Sequence, residues 1–134
     1  LAAAITTIDI LKTMDYEHIW TLGKRFKDGL ALAAKREGLE VYVAGSPPRM
    51  KLERIWCDCD DSDLVIDIFF QEMCKQGILF SNVIYMTFAH TVEIVDEIIV
   101  AAGHAFKKIF ENQLNLKAIL EGERSDKAFL RIRG

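Results

Sequence analysis

Apolar residues recur along this chain first at helical spacing, then at strand spacing, then at helical spacing again. In residues 1–14, Ala4, Ile5, Ile8 and Leu11 fall three or four apart, which predicts a helix. Asp15 offers an N-cap oxygen for a second helix running to Glu37. Its stripe is Ile19, Trp20, Gly23, Phe26, Leu30, Ala33 and Ala34, with Lys24, Lys27, Asp28, Lys35 and Arg36 mainly on the other side. Gly38 ends it, just after the basic residues that a helix C-terminus favours.

The period then shortens. Val41 to Ala44 is β-prone, and Gly45-Ser46-Pro47-Pro48 breaks it. Met50 to Cys57 reads as a second strand, with Met50, Leu52, Arg54 and Trp56 expected on one face. The turn between them makes the strands neighbours, with an antiparallel pair as one arrangement. Cys59 to Ser62 forms an acidic loop in which Asp61 or Ser62 caps a helix over 63–76. Its face is Ile66, Phe69, Phe70 and Met73, widened by Val65 and Ile68. After Gly77, Ile78-Leu79-Phe80 is expected as a strand, and Val83 to Phe88 as another beyond a turn at Ser81-Asn82. Thr91 caps the clearest helix, reaching Phe110. Its ridges Ile94/Ile98/Ala101/Ala105/Ile109 and Val95/Ile99/Ala102/Phe106 make one broad apolar face. Glu93, Asp96 and Glu97 open it and Lys107 and Lys108 close it, in accord with the helix dipole. Beyond Asn112 the pattern weakens to a short helix at Leu116–Leu120 and a polar tail with Phe129-Leu130-Arg131-Ile132. The order α, α, β, β, α, β, β, α predicts a small sheet backed by helices, the α+β class.

Composition narrows the classes. At 134 residues, 51% hydrophobic and 28% charged, the chain has the size and balance of one soluble globular domain. Its net charge of −3 supplies no overall cationic field for nucleic acid. No apolar run approaches the roughly 18 residues that would suggest a membrane span. Three cysteines leave at least one unpaired in a monomer, which favours a reducing, cytoplasmic setting. Leu1 already stands inside what reads as a helix, so the chain is expected to be a segment of a longer protein.

Few residues carry chemistry. Cys57 and Cys59 lie among Asp58, Asp60, Asp61 and Asp63, but a zinc site wants a second ligand pair, and Cys74 is the one other thiol. A calcium loop would need a turn glycine and a closing Glu. A strand end followed by a solvated acidic cap accounts for the run, and no metal is expected. His18, His90 and His104 are too scattered for a ligand cluster. His104 falls on a polar face, and Trp20 and Trp56 read as core or interface aromatics. His90, just before the Thr91 cap, can shape the turn into the last helix or stand at the rim of a site. No catalytic triad, Gly-x-Gly-x-x-Gly run or Walker loop is present. Arg49 follows two prolines that stiffen its approach. It suits either bidentate binding of a carboxylate or phosphate, or an ion pair with a surface acid.

The run Gly77-Ile-Leu-Phe, then Met86-Thr-Phe-Ala-His90-Thr91-Val-Glu93-Ile94-Val-Asp96, resembles the end of class III pyridoxal-phosphate aminotransferases. The branch it is most like is that of glutamate-1-semialdehyde aminomutase. Leu1-Ala-Ala-Ala through Ile10-Leu11 is similar to the stretch after the family's Asn-Pro motif, and Lys24-Arg25-Phe26…Gly29-Leu30 fits its next helix. The likeness extends over residues 1–110, with Phe129 to Arg133 similar to a subset of that branch. It implies the small C-terminal domain of a dimeric fold type I enzyme acting on a small amino acid or amino-sugar-type substrate. Residues 1–37 would connect to a large domain, 38–110 form the small domain, and 111–134 extend it. The cofactor, pyridoxal phosphate, would be bound mainly by that large domain, and none of the ten lysines here stands in the cofactor-lysine context. The segment alone would be inactive, helping to close the substrate cleft. Arg49 is then expected to bind an anionic substrate group, with His90 and Thr91 forming a structural turn nearby. Pro47-Pro48-Arg49 stands where many aminomutases carry a Ser-Met-Phe-like run, which leaves mutase and transaminase activity both open. A stand-alone α+β binding or dimerisation module is the alternative.

Overall fold

The computed structural model describes residues 1–124. Helix α1 spans Ala2–Leu11 and α2 spans Tyr16–Arg36, joined at Asp15, whose carboxylate accepts the Glu17 amide at 3.0 Å. Strands β1 (Glu40–Ser46) and β2 (Arg49–Trp56) form a hairpin around Pro47-Pro48. Helix α3 (Ser62–Lys75) follows, capped by Asp61 through the Leu64 amide at 3.1 Å. A short β3 (Val83–Tyr85) precedes α4 (Val92–Asn112), and a 3₁₀ turn at Leu116–Ile119 comes after it. The three strands are antiparallel in the order β1-β2-β3, with helices against one face: the α+β class.

Both α2 and α3 stop by the same device. Gly38 and Gly77 hold φ of 78°, open only to glycine without strain, and the amides of Leu39 and Ile78 turn back to the Ala34 and Met73 carbonyls. The expected strand at 78–80 is therefore absent. Ile78 closes the helix end, and Phe80 tucks between rings, 5.4 Å from Phe69 and 6.1 Å from Phe26. Ile78 and Phe80 are apolar because they pack, partly buried, against the core, while Leu79 between them is 92% exposed. Strand β2 takes its partner from Val83–Tyr85, shorter than the extended run expected to Phe88.

The face assignment along β2 is also corrected. Tyr42 pairs with Arg54 but Val43 pairs with Leu52, so Glu53 is an extra residue, a β-bulge. One inserted residue flips the alternation. Met50 and Leu52 point inward as expected, but Ile55 then takes the inner face, and Arg54 and Trp56 turn outward.

The core lies between the inner sheet face and α2, α3 and α4. Phe69 is fully buried at its centre, stacked on Phe106 at 5.1 Å. Leu22, absent from the expected stripe, is buried on α2, whereas Trp20 is 49% exposed and Trp56 40% exposed, so neither is a core aromatic. On α4 burial begins at Val95, and Ile94 stays exposed. Helix α1 buries none of its residues.

Candidate functional site

The end of the molecule nearest the hairpin turn gathers the residues singled out in the sequence. Gly23 of α2 lies against the Pro47 backbone so closely that a Cβ there would overlap the Pro47 carbonyl. The Pro48 carbonyl accepts the Met86 amide at 3.0 Å, tying the turn to the end of β3. Arg49 opens β2 directly opposite Tyr85, with both side chains exposed on the outer sheet face. Its Nε donates to the Tyr85 hydroxyl at 3.3 Å, and its guanidinium carbon stands 5.7 Å from the Tyr85 ring centroid. Among the described residues its side-chain partner is this neutral ring rather than a surface acid.

The turn into α4 is built from His90 outward. Its Nδ1 accepts the Thr87 amide at 3.1 Å and lies 2.8 Å from the Thr87 hydroxyl. The His90 carbonyl can only accept, so His18 Nε2, 3.0 Å away, donates to it. Two histidines far apart in sequence are thereby joined. Thr91 caps α4 through the Ile94 amide at 3.3 Å, and Phe88 packs edge-on against Tyr16 at 5.5 Å. Glu93 is held below the usual carboxylate range by its own amide and the Thr91 hydroxyl.

The other candidate groups lie elsewhere. His104 pairs with Gln76 across α3 and α4 at 3.0 Å. Burial pushes the Cys57 thiol up, keeping it protonated, and Cys57, Cys59 and Cys74 are all free. The larger groove, about 780 Å³, lies at the far end of the sheet between Lys35, Trp56, Asp58 and Phe110. A smaller cavity of about 170 Å³ sits beside the site, lined by Phe26, Phe80, Tyr85, Met86 and His90. Arg131, Arg133 and the Phe129 segment fall outside the described residues. Tyr85 and His18 are the members that sequence reasoning did not place. Their roles arise from strand register and from a helix packing on a distant turn.

The described residues do not fit a covalently held pyridoxal phosphate. That cofactor needs a lysine that can lose its proton in a closed pocket. Here the described lysines are exposed or half-buried. Lys24 pairs with Asp28 at 2.6 Å and Lys51 with Glu53 at 2.9 Å. The Lys75 ammonium is held above its ordinary range by Glu121 and Glu72, the direction opposite to the one nucleophilic lysine requires.

No family model matches the chain. Glutamate-1-semialdehyde 2,1-aminomutase from two strains of Neisseria gonorrhoeae is 29% identical over 123 residues, taking in 80% of this chain and 28% of the relative. The solved PLP internal aldimine form of the Sphingopyxis sp. MTA144 FumI protein superposes with a TM-score of 0.72 at 27% identity. That likeness covers 85% of this chain and 28% of the neighbour. The chain thus spans under a third of the proteins it matches. Over most of its length it is similar to a segment of pyridoxal-phosphate enzymes of the class III aminotransferase kind, and its α+β fold is that of part of a fold type I enzyme.

Proposed function

We propose that the chain is the C-terminal part of a pyridoxal-phosphate-dependent aminotransferase or aminomutase, and that it helps close the substrate cleft. The cofactor, with its lysine, belongs to a large domain of the same protein. The observation that carries this reading is the placement of Arg49. A double-proline turn, seated on Gly23 and tied to Met86, fixes the start of β2 and presents the guanidinium on an exposed face. A guanidinium so placed binds an anionic group of the substrate through charge-assisted, forked hydrogen bonds. His90 and Thr91 hold the neighbouring turn in shape. The substrate is a small amino compound bearing such a group, and glutamate-1-semialdehyde, named for the relatives, is the first to try.

The division at residues 37 and 38, with an extension over 111–134, is one of role rather than packing, because α2 shares the core of the small domain. Helix α1, with Ile5, Ile8 and Ile10 each more than half exposed, packs in this reading on the large domain or on a second subunit of a homodimer. Three free cysteines support a cytoplasmic protein. Among the described residues no helix is long and apolar enough to cross a membrane.

In the full-length protein, Arg49→Ala is expected to raise the KM for the anionic substrate about 10- to 100-fold, the worth of a hydrogen-bonded charge pair. An unchanged KM would remove Arg49 from the site.

A further inference from the structure

We infer that Tyr85 is the positioning residue for Arg49, reserving the outer edge of its guanidinium for end-on binding of a carboxylate; this rests on the substrate-binding role proposed for Arg49. A guanidinium carries five N–H donors on two forked edges, one made of Nε and a terminal nitrogen, the other of the two terminal nitrogens. The Tyr85 hydroxyl oxygen accepts a hydrogen bond from Nε at 3.3 Å, so the first edge is occupied. Among the described residues the Nη1/Nη2 edge has no hydrogen-bond partner, which leaves it to meet a planar, two-oxygen ligand.

The rest of the local structure favours this arrangement. Arg49 and Tyr85 face one another across the β2–β3 ladder, and the hydrogen bond from the Met86 amide to the Pro48 carbonyl holds β3 to the turn. The ring 5.7 Å from the guanidinium carbon adds a cation–π contact that restricts the long side chain further. An arginine ordered before binding loses less freedom when the ligand arrives. Lys51, on the same face, is not a rival, because Glu53 engages it at 2.9 Å. Tyr85 belongs to no motif that drew notice in the sequence. Its role follows from register alone.

The test uses the full-length, cofactor-loaded protein with 4-aminobutanoate and butylamine, two amines that differ in a carboxylate. KM, kcat and calorimetric Kd are measured for each. Tyr85→Phe keeps the ring and removes the acceptor oxygen; Tyr85→Leu removes both. For 4-aminobutanoate, Tyr85→Phe should raise KM and Kd about 3- to 10-fold with kcat unchanged, and Tyr85→Leu more, the range expected for one hydrogen bond. Butylamine should respond to neither. In an Arg49→Ala background Tyr85→Phe should have no further effect, since the two residues act as one unit. If Arg49→Ala raises KM while Tyr85→Phe does not, the positioning role is overturned and Arg49 keeps its own. Equal weakening of both amines would also overturn it, by exposing a general structural effect. If Arg49→Ala changes nothing, the reading of Arg49 falls and this inference with it.

Discussion

Gly23 shows how one missing methyl group sets the geometry of the site. In the interior of α2 an alanine would ordinarily improve helix stability by about 1 kcal/mol. Here its Cβ would run into the Pro47 backbone, which cannot swing aside as a side chain could. Gly23→Ala should therefore destabilise by roughly 1–3 kcal/mol, as overpacking does, and lower Tm. Gly103 is the control: it too is helical, but a Cβ there meets nothing within 4 Å, so Gly103→Ala should raise Tm slightly. A Gly23→Ala protein as stable as the parent would mean that the hairpin is not seated on α2. Thr91→Ala should cost about 1 kcal/mol through loss of the α4 cap, read in the same thermal melts.

Helices α2 and α4 are clamped by Arg25, whose Nε and Nη2 each reach Asp96 at 2.7 Å. The Arg25 hydrogen bond holds the Asp96 carboxyl below its usual range. The folded-state pKa is thus depressed, so the pair's contribution is present above the unfolded-state carboxylate pKa, near 3.9. It is lost as pH falls through the lower folded-state value. Both side chains are about half exposed, so the effect is small and weakened by salt. Asp96→Asn should lower Tm at pH 7 and shrink the further drop between pH 5 and pH 2. An unaltered acid limb would show that the clamp contributes nothing.

Helix ends were the most legible features, because Asp15, Asp61 and Thr91 cap locally and Gly38 and Gly77 terminate locally. Strand faces were not. The Glu53 bulge depends on how β1 and β2 pair, and nothing in the run from Met50 to Trp56 marks which residue is extra. Ile78-Leu79-Phe80 read as a strand for a similar reason, since a loop packed against the core and a strand share the same apolar composition. The site was legible to the same extent. Two prolines before Arg49 announce a stiff turn, but Tyr85 enters through strand register and His18 through helix packing.

At the scale of the whole molecule, the described lysines are exposed or half-buried, several engaged with carboxylates, and in the proposed reading the chain supplies shape and a cation for the substrate. It matches less than a third of a pyridoxal-phosphate aminomutase. The two facts fit together if chemistry is housed in one domain and substrate is gripped by another. Borohydride reduction of the full-length protein, followed by peptide mapping of the pyridoxyl-labelled lysine, tests this directly. The label should fall on a lysine outside the 134 residues of this sequence. Its appearance on any of the ten lysines within them would contradict the assignment of the reactive centre to another domain.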